Sequence, residues 1–210
     1  MFNAPWTIVV LSVGLIALYA VQSFTLNDAN GQPPAALSLT PAALAAGHWE
    51  TLVTSLFLHG GWPHVLMNAV AALAFGPPVA RLFGLGPRGA LVFLLFYLVC
   101  GIVGGLGFVL ADMHDKAGVV GASGAISGLL GAASRIIQGR GRIGPILGQT
   151  VIGMAIAWAI VNVVLGVSGL TPGAMGPVAW QAHLAGYAAG VLLIGPFARL
   201  AGRGADDFTQ

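Results

Sequence analysis

Long apolar stretches alternate with short charged or Pro/Gly-rich segments along almost the whole chain. A membrane-crossing helix needs about 20 predominantly apolar residues, and reading between the polar breaks gives six candidate spans. They cover residues 5–24, 62–82, 90–111, 122–138, 146–167 and 179–199. The pattern predicts an all-α polytopic membrane protein whose six transmembrane helices form a single domain over residues 1–210.

The first of these stretches could also be a signal peptide. No basic residue precedes it, however, and its apolar run is long for a signal sequence. We therefore interpret residues 5–24 as a transmembrane helix.

The composition supports a membrane protein and excludes several other classes. Hydrophobic residues make up 57% of the 210 residues and charged residues 7%, whereas a soluble domain has roughly 25% charged residues. Eight Lys and Arg against six Asp and Glu are too few to form a nucleic-acid-binding surface. The single cysteine, Cys100, excludes an intrachain disulfide and a cysteine metal site, and we interpret it as a buried packing residue.

The charged residues assign an orientation, because short cytoplasmic loops are enriched in Lys and Arg. The arginines follow the even-numbered spans, at Arg81, Arg88, Arg135, Arg140, Arg142, Arg199 and Arg203. The opposite side carries Lys116, the acidic residues Asp28, Glu50, Asp112 and Asp115, and the interfacial tryptophans Trp49, Trp62 and Trp180. We therefore expect both termini in the cytoplasm. The membrane that we expect is a bacterial inner (plasma) membrane.

Two segments depart from a simple row of spans. The first outer connection, 25–61, is long, and its apolar part Thr51 to Leu58 is too short to cross the bilayer. We expect that part to dip into the outer leaflet or lie along it. In the second span, Gly76-Pro77-Pro78 removes backbone donors and predicts a kink or a loosened helix.

Polar residues gather at one depth near the outer ends of two spans. His64 and Asn68 are four residues apart and share a face of the second span, whereas His59 belongs to the loop before it. His183 lies about one turn, roughly 5 Å, below the start of the sixth span. His59 and His64 are alternative metal ligands, but they share no face and no cysteine or acidic residue accompanies them, so we expect no metal.

The fourth span is short, and its start must lie below the membrane surface. From Ser123 to Arg135 there are only thirteen residues, roughly 20 Å of helix against a hydrocarbon core of about 30 Å. The preceding residues, 117–121, must then enter the membrane as non-helical chain, which is tolerated only where it is buried in protein or lines a water-filled cavity. The sequence predicts an outward-facing pocket with Ser123 at its floor, on a helix N-terminus.

Small residues indicate that the fourth and sixth spans cross closely. Gly124 and Gly128 form one small-xxx-small pair and Gly186 and Gly190 another. His183 lies on the glycine face of its helix, so a crossing there brings it within reach of the Ser123 hydroxyl, as nucleophilic catalysis requires. No carboxylate is placed to orient His183, which predicts a dyad without an acidic third member.

Taken singly, these residues also have simpler interpretations. A serine in a glycine-rich membrane protein is more often a packing residue than a nucleophile, and a histidine in a span is more often structural. We interpret Asn162 and Ser127 as residues that hydrogen-bond between helices. The conjunction of Ser123, His183, His64 and Asn68 is what favours catalysis.

The motifs that carry these residues resemble those of the rhomboid family of intramembrane serine proteases. They are HGGWPHVLMN at residues 59–68, GASG at 121–124 and AHLAGYAAG at 182–190. The resemblance extends from Trp49 to the end of the sixth span. It implies that Ser123 is the nucleophile, that His183 is the general base and later the general acid, and that no cofactor or metal is needed.

The same resemblance implies roles for the surrounding residues. His64, Asn68 and the Ser123 backbone amide would form the oxyanion hole, and His59 would support it from the loop. Gly121, Gly124, Ser127, Gly186 and Gly190 would support the site. The implied substrates are single-pass membrane proteins, cleaved within or beside their transmembrane segments, and the implied surroundings are membrane lipid.

Three positions depart from the pattern of many relatives. Glu50 stands where many have Arg, Ala80 stands where many have Glu, and Ser127 replaces an aromatic residue that stacks on the catalytic histidine. All three are support positions. The chemistry assigned to Ser123 and His183 is therefore retained in the sequence.

Two other functions fit parts of the sequence. One is a catalytically silent relative that binds transmembrane clients, although such a protein would be expected to lack Ser123 or His183. The other is a small transporter or channel with His64, His183 and Asn68 along its pathway. The small number of polar residues in the cytoplasmic halves of the spans argues against it. For the protease, we expect the fifth span and the outer segment 168–178, which is rich in Gly and Pro, to form the substrate gate.

Overall fold

The computed structural model describes residues 4–111, 118–168 and 178–204, and within these ranges the fold is all-helical, without a β-strand. The helices are α1 (Trp6–Thr25), α2 (Pro41–Ala45), α3 (Thr51–Thr54), α4 (Trp62–Phe83), α5 (Pro87–Ala111), α6 (Ser123–Gln138), α7 (Gln149–Ser168) and α8 (Trp180–Leu200). Two short 3₁₀ turns, Ala35–Leu37 and Ser55–Phe57, lie in the connection between α1 and α4.

Five helices in the described part of the chain are long and apolar enough to cross a membrane, namely α1, α4, α5, α7 and α8. Their ends lie within one helical turn of the limits read from the hydrophobic pattern. The remaining long helix, α6, has 16 residues, or about 24 Å at 1.5 Å per residue. It coincides with the short fourth stretch of the sequence. Helices of this number, length and hydropathy are those of an integral membrane protein.

The short helix α6 forms the centre of the bundle. It packs against α4, α5, α7 and α8, and every residue from Gly124 to Ser134 is buried. Its buried surface consists mostly of Gly, Ala and Ser, which allows neighbouring backbones to approach. The longer helices therefore surround α6 and separate it from the lipid.

Glycines set the distance between α6 and α8. A Cβ added at Gly186 would lie 2.1 Å from the carbonyl oxygen of Gly124, and one added at Gly190 would lie 1.9 Å from that of Gly128. No side chain fits at such distances, so the two backbones are in direct contact. The expected crossing of these small-residue faces is present in the structure.

The helix α4 runs without interruption through its two prolines. The sequence predicts a kink or loosening at Gly76-Pro77-Pro78, and the helix extends from Trp62 to Phe83 with both prolines inside it. Gly76 serves packing, since a Cβ there would lie 2.7 Å from Cδ1 of Ile8 in α1. The small residue at this position keeps α1 and α4 close together.

Residues 26–61 connect α1 to α4 on the side that holds the candidate site. The apolar part of this connection forms α3 and the second 3₁₀ turn, with Leu52, Ser55 and Leu56 buried, and α3 packs against α5. The backbone of Leu39 also pairs with that of Val119, just before α6. The connection is thus part of the packed structure.

Arginines and a tryptophan fasten the helix ends on the opposite side. Arg88 donates to the carbonyl of Leu200 at 2.8 Å, and Arg203 donates to the carbonyls of Leu82 and Arg81. The indole of Trp6 donates to the carbonyl of Leu85 at 2.8 Å. These bonds connect the ends of α4, α5 and α8 and the start of α1 on this side.

Candidate active site

A cavity of about 610 Å³ opens between α4, α6, α7 and α8. Its walls are largely apolar, with Met67, Phe75, Ile126, Leu130 and Trp158 among them. The polar side chains of His64, Asn68, Ser123, Asn162 and His183 also line it. Convergent polar groups in an apolar cleft are typical of a ligand or catalytic site.

The chain enters the floor of this cavity as non-helical backbone, as the sequence predicted for the residues before Ser123. Residues 118–120 are not helical, and Val119 exchanges backbone hydrogen bonds of 2.8 and 3.0 Å with Leu39. The amide of Gly121 donates to the carbonyl of Ser55 at 2.9 Å. The outer connection therefore supplies the partners that buried backbone needs.

Gly121 allows the turn into α6 and the close approach of His64. Its φ is +119°, where side chains are disfavoured, and a Cβ on it would lie 2.6 Å from Nε2 of His64. Both the conformation and the space require glycine. The imidazole of His64 consequently lies directly over the backbone that leads to Ser123.

Ser123 and His183 meet across the α6–α8 interface. Ser123 is the first residue of α6 and His183 lies in the first turn of α8. The distance between Ser123 Oγ and His183 Nε2 is 2.6 Å. The hydroxyl can donate to the imidazole, which is the geometry of an activated serine nucleophile.

A third side chain, Asn162 of α7, hydrogen-bonds to the other nitrogen of the His183 ring. The Asn162 amide nitrogen donates to the carbonyl of Trp158 at 2.8 Å, so its oxygen faces His183 and accepts from Nδ1. With the proton on Nδ1, Nε2 carries the lone pair that accepts the hydrogen bond of the Ser123 hydroxyl. No carboxylate of the described ranges contacts His183, and a neutral amide occupies that place.

His64 and Asn68 direct hydrogen-bond donors toward the same floor. The backbone amide of Gly60 donates to His64 Nδ1 at 3.4 Å, which leaves the proton of the neutral ring on Nε2, beside Gly121. The amide nitrogen of Asn68 is buried, and no acceptor within the described residues contacts it. The first backbone amides of α6 add donors without an intrahelical partner. The floor can therefore receive a negatively charged oxygen.

His59 supports His64 from behind and does not line the cavity. The two rings pack edge to face with centroids 5.1 Å apart, although they share no helical face, because the loop folds back onto α4. Gln22 of α1 bonds the backbone of His59 at both its N–H and its carbonyl. Burial, followed by the proximity of His64, lowers the pKa of His59 to about 3, so the ring is neutral.

The described ranges contain no cluster of three or more His, Cys, Asp or Glu that could hold a metal. The contact between His59 and His64 lacks a third ligand and the carboxylates that a hard ion prefers. The chemistry that this arrangement offers is acid–base and nucleophilic chemistry.

The three departures noted in the sequence have different surroundings. Ser127 donates to the carbonyl of Ser123 at 2.8 Å within α6, so the expectation that it bonds between helices was wrong. Its acceptor is the carbonyl one turn earlier in its own helix. Ala80 is buried in α4. Glu50 pairs with His48 at 2.9 Å on the surface.

The aromatic neighbour that position 127 lacks is supplied by another helix. The ring of Trp158 in α7 lies 6.0 Å from that of His183, with the two planes tilted by 33°. Sequence analysis did not identify Trp158, because an aromatic residue in an apolar span carries no distinguishing signal. It also did not identify Gln22 or the partner of Asn162, although polar residues within spans are a general indication of function.

The expected gate is described only in part. Residues 169–177 of the segment 168–178 lie outside the described residues. In α7, 11% of the 18-residue membrane-spanning stretch is buried, compared with 33% to 56% in the other four candidate spans. It is the least enclosed of these helices.

Comparison with known proteins identifies similar chains. The family profile described as Rhomboid domain matches residues 46–199. RHOMBOID-like protein 9, chloroplastic, from Arabidopsis thaliana is 32% identical over 121 residues, which are 58% of this chain and 23% of that protein. Putative rhomboid protease YdcA from Bacillus subtilis is 39% identical over 88 residues, 42% of this chain and 41% of the relative.

A further similar protein is rhomboid protease GluP from Bacillus subtilis. It is 39% identical over 89 residues, which are 42% of this chain and 16% of that protein. The chain thus spans less than half the length of each of these three relatives.

Proposed function

From the fact that the chain belongs to the rhomboid family, we propose that this integral membrane protein is an intramembrane serine endopeptidase. It cleaves transmembrane segments of single-pass membrane proteins by means of Ser123 and His183, through an acyl-enzyme. The observation that carries the proposal is the 2.6 Å contact between Ser123 Oγ and His183 Nε2 at the floor of the cavity.

The first half of the reaction forms the acyl-enzyme. Ser123 Oγ attacks the scissile carbonyl carbon while His183 Nε2 takes the hydroxyl proton. The resulting oxyanion receives hydrogen bonds from His64 Nε2, the Asn68 amide and the Ser123 backbone amide. When the C–N bond breaks, His183 gives its proton to the leaving amine, and the substrate carbonyl remains as an ester of Ser123.

The second half regenerates the enzyme. A water molecule attacks the ester carbonyl while His183 takes one of its protons, and the C–O bond to Ser123 then breaks as His183 returns that proton to Oγ. The outward cavity is the route for this water, because the apolar helices around α6 exclude water from the other sides.

The buried amide nitrogen of Asn68, which has no acceptor among the described residues, supports a role of the cavity floor in binding the oxyanion. A buried amide without an acceptor costs about 1–3 kcal/mol. An oxyanion at the floor supplies the missing acceptor only while the tetrahedral intermediate exists. The binding energy is thereby directed to the transition state, which is what accelerates a reaction.

The proposed topology has six crossings, with α6 as the short fourth crossing helix, enclosed by α4, α5, α7 and α8, and with α1 packed on α4. Residues 1–210 form one membrane domain, whose first outer connection lies against the outer leaflet. The arginines at one end of the bundle, opposite the end with Trp49, Trp62 and Trp180, support a topology in which both termini are in the cytoplasm. The membrane is the bacterial plasma membrane, and the partners are lipid and transmembrane substrates.

The test is cleavage of a panel of single-pass substrates with Ala- and Gly-rich outer ends. Purified wild type, Ser123→Ala and His183→Ala are reconstituted with the panel in liposomes, and the products are mapped by mass spectrometry. Ser23→Ala and His48→Ala, at positions outside the cavity, are the matched controls. We expect wild type and both controls to cut the substrates, and we expect Ser123→Ala and His183→Ala to make no cut.

The alternative is a silent client-binding protein. Folded wild type that cuts no substrate and does not react with a serine-directed fluorophosphonate would refute the protease and favour that alternative. Co-purification of intact substrates with wild type would then be the next measurement.

A further inference from the structure

We propose that Asn162 is a positioning residue for His183, and that it makes the assembly of the Ser123–His183 pair depend on the position of α7. The inference rests on the proposed function, because it concerns how that catalytic pair is held. It goes beyond the dyad by assigning a third group to the site and by connecting the expected substrate gate, α7, to the chemistry.

A relay of hydrogen bonds runs from α7 through His183 to Ser123. The carbonyl of Trp158 accepts from the Asn162 amide nitrogen at 2.8 Å, and Asn162 Oδ1 accepts from His183 Nδ1. His183 Nε2 then accepts from Ser123 Oγ at 2.6 Å. Since each group has its donor or acceptor role fixed by the one before it, the relay selects the tautomer in which Nε2 is the base.

The other ring contact of His183 also comes from α7. Trp158 lies one turn before Asn162, on the same face, and its ring is 6.0 Å from the imidazole. On α6 the hydroxyl of Ser127 is turned to the carbonyl of Ser123 and gives His183 no support. Apart from Ser123, the hydrogen-bond and ring-stacking partners given for the imidazole within the described residues therefore come from one helix.

The two ends of α7 are held by different contacts. Polar bonds fix its beginning, where Gln138 accepts from the amide of Thr150 at 2.7 Å and Tyr187 donates to the carbonyl of Val151 at 2.9 Å. Towards its other end four of the eight residues 159–166 are exposed, Gly166 lies against the Trp180 ring of α8, and Asn162 provides the polar contact with α8. Outward movement of that half of α7, which widens the cavity, separates Asn162 and Trp158 from His183.

The consequence is a site that is ordered only when α7 lies against α8. With α7 displaced, the imidazole loses its fixed tautomer and orientation, and misplacement of a catalytic group by about 1 Å costs about 100-fold in rate. With α7 returned, the pair is aligned. The protein thus couples closure around a substrate to activation of the serine.

The first experiment compares Asn162→Leu, which removes the acceptor, with Asn162→Asp, which retains an oxygen at the same position. Leu165→Ala, a cavity-lining change on the same helix, is the control for altered packing. Three quantities are measured, namely the rate at which Ser123 reacts with a small fluorophosphonate, and the kcat and KM for a transmembrane substrate.

Asn162→Leu is expected to slow both fluorophosphonate labelling and kcat by about 100-fold, whereas Asn162→Asp retains at least a tenth of the wild-type rate. If Asn162 had only a structural role, Asn162→Asp, which keeps the acceptor, would not restore labelling and kcat. Labelling and kcat of folded Asn162→Leu within threefold of wild type, or a change in KM alone, would overturn the proposal.

The tautomer is read independently of activity by NMR of ¹⁵N-histidine-labelled protein. The Nδ1–H form of His183 is expected in wild type and a mixture of tautomers in Asn162→Leu. This measurement separates the two proposals: a wild type that neither labels nor cuts contradicts the protease, while an unchanged His183 spectrum in the variant contradicts the role of Asn162.

The dependence on α7 is tested by holding the helix in place. In a Cys100→Ala background, Ala71→Cys and Val161→Cys place thiols on the α4 and α7 walls of the cavity, to be joined by a short bifunctional crosslinker. Crosslinked protein is expected to lose transmembrane-substrate cleavage and to keep the fluorophosphonate labelling rate of the uncrosslinked double variant. Crosslinked protein that cleaves as fast as that uncrosslinked variant would refute movement of α7.

Discussion

The side-chain amide of Gln22 in α1 hydrogen-bonds to both backbone groups of His59, with distances of 2.9 Å to the N–H and 2.8 Å to the carbonyl oxygen. Gln22 is 2% exposed and His59 is fully buried. The pair fixes the loop that carries His59 against α1. The His59 ring contacts His64, which lines the cavity. Thus α1 helps to position a cavity residue although α1 itself does not line the cavity.

Replacement of Gln22 by Ala is expected to loosen this loop. Each buried backbone group left without a partner costs about 1–3 kcal/mol, so the midpoint of thermal unfolding in detergent should fall and cleavage should weaken through displacement of His64. Ser23→Ala, which removes only a bond to Ala20 in the same helix, is the control. Equal melting temperatures for the two variants would show that the Gln22 bonds carry no stability.

Replacement of Gly121 by Ala is expected to abolish cleavage in a protein that still folds. The new Cβ would lie 2.6 Å from His64 Nε2, so the imidazole must move away from the floor. Gly31→Ala is the matched control, because Gly31 also has a positive φ, +75°, but no neighbouring atom within 4 Å of its Cβ position. Backbone strain of about 1–3 kcal/mol is common to both variants.

The two variants are compared by kcat for a transmembrane substrate. A Gly121→Ala enzyme as active as Gly31→Ala would contradict the requirement for His64 at this position.

Replacement of Gly190 by Ala is expected to force α6 and α8 apart. Its Cβ would lie 1.9 Å from the carbonyl oxygen of Gly128, and overpacking of this kind costs about 1–3 kcal/mol or more. Ala at Gly14 in α1, where nothing lies within 4 Å, should instead be neutral or stabilise the helix. Thermal unfolding in micelles, followed by tryptophan fluorescence, measures both, and a Gly190→Ala protein as stable as Gly14→Ala would refute the close crossing.

The stability of the protein is expected to fall in acid because of His59. Burial lowers the pKa of His59 from 6.5 to about 3, so the folded state disfavours the protonated ring. The contribution of the neutral ring to the free energy of unfolding is fully present above pH 6.5 and is lost as the pH falls toward 3. Between pH 6.5 and 5 the loss is up to about 2 kcal/mol.

The measurement is the unfolding temperature at pH 7.5 and pH 5.0 for wild type, His59→Leu and the exposed-site control His48→Leu. The acid-induced decrease should be smaller in His59→Leu and unchanged in His48→Leu. A decrease of the same size in His59→Leu as in wild type would exclude His59 as its source.

Much of the architecture follows from the order of residues alone. Runs of about 20 apolar residues define helices in a bilayer, because unpaired backbone groups are too costly there. The short stretch beginning at Ser123 required a buried helix start, and the residues before it are indeed non-helical. The spacing of His64 and Asn68 placed both on one helical face, since the period of the helix is local information.

The tertiary structure decided which faces meet. The rotation of α7 about its axis and its position beside α8 place Asn162 and Trp158 on His183, and no spacing within α7 specifies that. The fold of the loop onto α4 brings His59 to His64, and α1 brings Gln22 to His59. Sequence periodicity fixes the relation between residues of one helix, whereas contacts between helices depend on side-chain packing across the whole bundle, and only the assembled structure determines them.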